Sequence, residues 1–379
     1  MWSSSTTANA RLPNDRLSDD PIGEAEDLIA AGRAREAAML LQSLLNANRG
    51  GLLARLTLAR AQRAAGDHSA ALATARETAM LNPNVAVVAV ALGEALLASG
   101  RLPTAIGEFQ RALRMDPDNA DARFQLGLAW LEAGEPEKAL ESFGEVESHE
   151  GLAERIAEAE AMRKARRSNP RYVRHLFDQF SADYDSRMIG QLGYRAPAVL
   201  RELASLILPQ QTDLVILDLG CGTGLSGKAF TDMASAIDGI DLSPSMIAKA
   251  KTRGIYRDLV AGDIETALAQ LPAHYDLVLA ADTVVYLGDL EPVFDQVARK
   301  LTSGGYFLFT VEKKDGEGFE LGPKRRWRHA ESYLRTVAEH ADFDISGFVA
   351  CVPRSEAGIP VDGFAIALSK RDGNAQTSS

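Results

Sequence analysis

Four glycines, Gly32, Gly66, Gly100 and Gly134, stand 34 residues apart, and this spacing constrains the chain more than any other feature. An alanine follows each of them by five residues: Ala37, Ala71, Ala105 and Ala139. Leu92-Gly93 returns as Leu126-Gly127, and Asn82-Pro83 as Asp116-Pro117, at the same period. Three registers sharing one period describe a repeated supersecondary unit, and a helix hairpin fits it. Each glycine supplies the left-handed residue that ends a helix. Each alanine lets the two helices approach closely, and a proline after the second helix blocks its continuation. Ala59 stands where the Leu-Gly pattern asks for glycine, so the earliest full unit is expected to be weaker.

A 34-residue helix-turn-helix period resembles the tetratricopeptide repeat. The match covers residues 22–150, three full units and a partial first one. It implies a concave surface that takes a peptide or partner protein. Self-association, or packing on a neighbouring domain, stands beside that reading. Leu152–Arg167 reads as one more helix capping the array, its basic run Arg163–Arg167 a solvated end. Ser168-Asn169-Pro170 then breaks the helix. The expected division is a repeat domain over 21–150, a capping helix and linker over 151–169, and a second domain over 170–370. Residues 1–20 and 371–379 are expected to be disordered ends.

From residue 214 short apolar strands alternate with helices. The strands are Leu214–Asp218, Ala236–Ile240, Tyr256–Val260, Tyr275–Ala280 and Tyr306–Glu312. Such alternation means a parallel sheet wrapped by helices. Phe343–Cys351 and Gly363–Leu368 then read as two strands joined by a loop with no helix between them.

The chemistry-bearing motifs fall at strand ends. Asp218–Gly224, DLGCGTG, follows the first strand. Gly220, Gly222 and Gly224 let the backbone turn tightly and approach a ligand, and Asp218 is placed to anchor a cationic or hydroxylic group. Gly222, Gly224 and Gly227 also satisfy the dinucleotide pattern G-x-G-x-x-G, but the acid at 218 speaks against it. Asp241 ends the second strand, where a carboxylate can accept from both hydroxyls of a ribose. Asp263 follows the third, as a ligand acceptor or a helix N-cap.

Asp-x-Gly-x-Gly-x-Gly after the first strand resembles motif I of the class I S-adenosylmethionine-dependent methyltransferases. The resemblance implies S-adenosyl-L-methionine as cofactor, with Asp218 on its methionine amino end and Gly220, Cys221, Gly222 and Gly224 beside it. It sets Leu242 and Met246 against the adenine face, though Met246 also suits an ordinary helix core. Asp263 would accept from the adenine amino group, with Ile264 packed on the ring. Ala280 and Ala281 would leave room for the methionine chain, with Asp282, Val285 and Tyr286 on the site wall. The terminal hairpin belongs to the same resemblance. The expected fold is therefore an all-α helical repeat array followed by an α/β domain, a seven-stranded Rossmann-like sheet with a terminal antiparallel hairpin. Phe177, Phe180 and Tyr184 share one helical face. That face is either core or a lid, in which Tyr184 would touch the cofactor, since a sulfonium favours aromatic faces.

Methyl transfer asks the protein mainly to position the acceptor and strip water from it. A general base is needed only if the acceptor must lose a proton; His329 and Asp282 are put forward, ahead of His175, Tyr286 and Glu312. The basic cluster over 313–333 is either an anion site or a solvated loop. No Asn/Asp-Pro-Pro-Tyr occurs and no Pro-Cys follows the fourth strand, which argues against exocyclic-amine and covalent pyrimidine methylation. The acceptor is expected to offer an oxygen or nitrogen nucleophile on a small molecule rather than a protein. A net charge of -11 argues against nucleic acid. No metal site is expected. No apolar run is long enough to cross a bilayer, the N-terminal stretch is polar, and two cysteines, Cys221 and Cys351, suit a reducing compartment. A cytoplasmic protein away from membranes is expected. Two other readings stay open: an interaction module whose sheet domain binds cofactor without turnover, and a nicotinamide oxidoreductase, disfavoured by Asp218 and the hairpin.

Overall fold

The computed structural model describes residues 20–371 apart from 182, 191, 209–210 and 272–273. The expected disordered ends, save residues 20 and 371, lie outside the described residues. The chain divides into two compact units, residues 1–160 and 161–379, the division falling within the helix Leu152–Lys164.

Among the described residues the first unit holds four helix hairpins. They are Pro21–Ala30 with Ala34–Asn46, Gly51–Ala64 with His68–Leu81, Ala86–Ala98 with Leu102–Met115, and Ala120–Glu132 with Pro136–Gly144. The first, expected to be partial, has both helices. Gly32, Gly66, Gly100 and Gly134 sit at φ 75°, 80°, 72° and 68° between the helices of each pair. In that left-handed region a Cβ is strained, which is why the period is marked by glycine. Ala37, Ala71, Ala105 and Ala139 are fully buried. Asp67 and Asn119 cap helix starts by accepting from the backbone N–H of Ala70 at 3.0 Å and of Ala122 at 2.9 Å.

Gly93 and Gly127 are needed for a different reason. A Cβ on Gly93 would stand 2.5 Å from Cε1 of Phe109, and one on Gly127 would collide with Phe143 in the same way. In the preceding unit Ala59 takes the glycine's place, and Ala75 takes the phenylalanine's sixteen residues on. The swap removes the ring that would collide with the Ala59 methyl, so the pair of helices can still approach.

The second unit is built on one mixed sheet of nine strands among the described residues. They are β1 (Leu214–Leu219), β2 (Ala234–Asp241), β3 (Asp258–Ala261), β4 (Tyr275–Ala280), β5 (Leu301–Lys314), β6 (Phe319–Leu321), β7 (Trp327–Ala330), β8 (Phe343–Glu356) and β9 (Ile359–Lys370). β3, β2, β1, β4 and β5 run parallel in that order, β9 joins β5 antiparallel, and β8 joins β9 antiparallel. This is the expected sheet with its terminal hairpin. The hairpin is longer than its apolar stretches suggested: pairing continues through the expected loop and turns at Ala357 and Gly358, φ 49° and 80°. β7 extends the end of β5 in parallel, and β6 pairs with β7 antiparallel. These two strands occupy the region read as a basic loop.

Helices cover both faces of the sheet. On one face Phe294, Phe307, Phe309 and Phe343 pack together, Phe294 edge-on to Phe307 and Phe309 at 5.4 and 5.3 Å between ring centroids. On the other, Leu200 and Phe230 pack with Ile237 and Leu308. Burial on both faces leaves ligand chemistry to the strand ends and their loops.

Candidate active site

The loops after β1, β2, β3 and β4 border a cavity of about 440 Å³, within the ordinary range of small-molecule pockets. Gly220, Gly222 and Gly224 all lie in the left-handed region, at φ 64°, 55° and 91°. A Cβ on Gly220 would strike the Thr283 side chain, whereas one on Gly222 would meet only open space. Gly220, Cys221 and Gly222 line the cavity; Gly224 does not. Instead Gly224 starts the helix Leu225–Ala229.

The three strand-end acids sit in three environments. Asp218 is fully buried behind the glycine loop and is not part of the cavity wall. Its Oδ2 accepts from the Gly227 N–H at 3.0 Å and the Tyr256 hydroxyl at 2.7 Å. Its Oδ1 has no partner among the described residues. Burial outweighs those two bonds and pushes the carboxyl up to about 7. Asp241 lines the cavity and accepts from the N–H of Gly222 and of Ser243, both at 2.8 Å. Burial lifts it to about 6. Asp263 also lines the cavity, caps the helix Ile264–Gln270 and is ion-paired to Arg167. Arg167 also pairs with Glu265 at 2.7 Å. The end of the basic run is therefore no solvated helix terminus: it is committed to two carboxylates.

Leu242, Ile264 and Tyr184 face the cavity as expected. Met246 does not; it is fully buried on the helix Pro244–Thr252, in the core position left open by its sequence context. Ala280 is likewise buried within β4, and the next residue, Ala281, reaches the wall instead.

The described residues of 167–194 form a strap along this edge. The Ser168 N–H donates to the Tyr286 carbonyl at 2.8 Å, and Asp178 accepts from the Ser243 hydroxyl at 2.5 Å. Asp185 accepts from the Thr223 hydroxyl and pairs with Arg253, which ties the helix Tyr184–Gly190 to the glycine loop. The expected single helical face is broken, because one helix ends at Phe180 and Tyr184 opens the next, yet Phe177 lies edge-on to Tyr184 and Tyr286, at 6.1 and 5.7 Å, and all three line the cavity. Burial raises the Tyr184, Tyr194 and Tyr286 hydroxyls above their ordinary range and keeps them neutral.

Beyond β4 the wall becomes ionic. Asp282 lines the cavity with a left-handed backbone, φ 55°, and its N–H donates to the Thr310 hydroxyl at 2.8 Å. Its carboxylate pairs with Arg354, which has no exposure and also pairs with Glu312 and, at 3.2 Å, Glu356. Arg326 reaches Glu356 at 2.9 Å and the Tyr286 hydroxyl at 3.3 Å. Asp282, Lys324 and Arg325 are all non-glycine residues at positive φ around this wall, a strain that tends to gather at functional sites.

The structure does not bring His329 to the cavity. It is fully buried on β7, its Nε2 lies 3.1 Å from the Gly288 carbonyl oxygen, and burial lowers it to about 4. The expectation of a base there fails on position: a neutral ring in the sheet interior cannot reach an acceptor in the cavity. The sequence reading missed the roles of Arg167, Asp178 and Asp185, and the hub at Arg354.

Two stretches match known families. Residues 217–309 match the family described as methyltransferase domain, and residues 90–148 the tetratricopeptide repeat. Over 156 residues the chain is 31% identical to an 18S rRNA (guanine-N(7))-methyltransferase of Bos taurus, covering 41% of this chain and 54% of that protein. Over 111 residues it is 30% identical to a ubiquinone biosynthesis O-methyltransferase of Nitrobacter winogradskyi, covering 29% and 42%. It aligns with the solved 1,6-didemethyltoxoflavin-N1-methyltransferase of Burkholderia thailandensis at a TM-score of 0.41 and 18% identity, over 52% and 88%. The chain spans about half the length of the curated relatives it matches. It carries tetratricopeptide repeats and a methyltransferase domain.

Proposed function

We propose that the second unit is an S-adenosyl-L-methionine-dependent methyltransferase acting on an oxygen or nitrogen nucleophile. The observation that carries the proposal is the set of strand-end acids around one glycine loop, two on the cavity wall and the third buried behind it. The fit to the cofactor rests on the chain's own groups. The Asp241 carboxylate offers acceptors for a ribose; the unpaired Oδ1 of Asp218 is buried behind the glycine loop and would meet a ligand ammonium only through a shift of that loop. Gly222 leaves open space where a side chain would intrude. Leu242 and Ile264 supply apolar contacts for a flat base, and Tyr184 an aromatic face near a sulfonium. Asp263 would share its contact to the base with Arg167. When bound, the cofactor supplies a methyl group already activated for displacement.

The chain's residues then position the acceptor and exclude water. The strap shields the cavity, and Asp282 is held in a fixed direction by Arg354 and Thr310. Among the described lining residues there is no histidine, and the tyrosines are neutral donors. Both the carboxylate orientation and the backbone of Asp282 are fixed by Arg354 and Thr310, so Asp282 serves as a positioning group. The acceptor atom therefore brings its own available lone pair. A small molecule suits a cavity of about 440 Å³. An RNA base is the second reading, favoured by the name of the Bos taurus relative and opposed by the net charge of -11. The repeats would recruit a partner protein or a second copy.

Calorimetry with S-adenosylmethionine, S-adenosylhomocysteine and NAD tests this. The first two should bind, NAD should not, and Asp241→Ala should abolish binding. Equal or better binding of NAD would overturn the cofactor assignment. Methyl label from the donor reaching no small molecule, RNA or protein of a cell extract would favour a non-catalytic interaction module.

A further inference from the structure

The cavity wall beyond β4 holds a cation whose hydrogen-bonding capacity is not used up. Arg326 lines the cavity with 17% of its side chain exposed. Its Nε donates to the Tyr286 hydroxyl oxygen and its Nη1 to Glu356. Its Nη2 makes no hydrogen bond among the described residues. Arg354 differs: it has no exposure, and its charge is spent on Asp282 and Glu312. Among the described residues, Lys324, Arg326, Arg328 and Arg354 pair with Asp282, Glu312 and Glu356, Lys324 and Arg328 from the exposed side. What remains open on the wall is the Nη2 group of Arg326, and the free edge of a guanidinium is well satisfied by a planar anion. Beside it the wall is aromatic. The Arg326 guanidinium carbon lies 5.8 Å from the centre of the Tyr286 ring, and Phe177 stands edge-on to that ring.

We propose that the methyl acceptor is an aromatic molecule bearing an anionic group, whose anion docks on Arg326 and whose ring lies against Phe177 and Tyr286. This rests on the methyltransferase reading and narrows its acceptor class. Arg326 is then a specificity-determining residue. Its reach is local: Glu356 keeps Arg354 and Lys324 as partners without it.

The test uses the full chain saturated with S-adenosylhomocysteine and follows benzoate, phenyl phosphate and benzamide by calorimetry or ligand-detected NMR. At least one of the two anions should bind about tenfold more tightly than benzamide, which has the same ring and no charge, in line with the weight of a charge-assisted pair. Benzoate against phenyl phosphate separates a carboxylate from a phosphate acceptor. Arg326→Met should remove the preference while S-adenosylhomocysteine still binds, and Arg326→Lys should keep part of it. Equal binding of all three probes, no binding of either anion, or a preference that survives Arg326→Met overturns the proposal. A wild-type chain that fails to bind S-adenosylhomocysteine sinks the underlying methyltransferase reading instead. The probes compared without that ligand then judge the anion site separately.

Discussion

If Asp218 meets a ligand ammonium, affinity should fall as pH falls, while its contribution to folding stability runs opposite to that of most carboxylates. Its carboxyl is raised to about 7 by burial, against an ordinary value of about 3.9 in an unfolded chain. Between those values the folded state holds a proton that the unfolded state has lost. The stability contributed by protonated Asp218 is thus complete below about pH 4 and lost as pH rises through about 7. A ligand ammonium beside Oδ1 favours the ionised form and must expel that proton. The ionised fraction falls from about nine tenths at pH 8 to about one tenth at pH 6, so S-adenosylhomocysteine should bind about tenfold more weakly at the lower pH, about 1.4 kcal/mol. Asp241, at about 6, adds up to about a further factor of two at that pH. Calorimetry in two buffers of different ionisation heat should report release of about half a proton at pH 7 and, at pH 6, about 0.9 from Asp218 with up to about 0.5 more from Asp241. Asp218→Asn should bind weakly and lose most of the pH dependence. An affinity constant from pH 6 to 8, or a slope that persists in the Asn variant, would refute the placement of an ammonium against this carboxyl.

Two further outcomes follow from packing. Gly93→Ala drives a methyl into the Phe109 ring, at about 1–3 kcal/mol of overpacking against about 1 kcal/mol of helix gain. In a Phe109→Ala background the same change should become stabilising, and chemical denaturation of the four variants should show a coupling of about 2 kcal/mol; additivity would mean the ring does not occupy that space. Arg354→Met strips Asp282 and Glu312 of a fully buried partner. It should destabilise the second unit by about 3–5 kcal/mol, seen as a fall of about 10 °C in its thermal midpoint; an unchanged midpoint would count against the network.

What was legible in the sequence is what backbone physics repeats. Gly32 and its three successors are visible because a left-handed turn excludes other residues, whatever surrounds it. β1 and β4 are visible because burial on both faces leaves unbroken apolar runs, whereas β3, an exposed edge strand, is marked mainly by its place in the alternation. β6 and β7, three and four residues long, are too short to show a period, and Glu320 and Arg328 disguise them as loop. Long-range ion pairs leave no local trace: Arg167 lies 96 residues from Asp263, and Arg354 lies 72 from Asp282. His329 shows the same gap from the other side. Its neighbours in sequence suggested a basic pocket, but only the pairing of β7 with β5 decides that its ring turns inward.

The matched exchange of Gly93 with Phe109 for Ala59 with Ala75 fixes the grain at which this array can be edited. A helix transplanted alone would arrive carrying half of a lock whose key stayed behind. Whole hairpins can be duplicated, deleted or grafted between such arrays, because each carries both halves with it. Lineages that lengthen or shorten the array are then expected to do so in steps of one hairpin, and libraries built from it will yield folded members when the crossover points lie in the prolines between pairs rather than at the glycines within them.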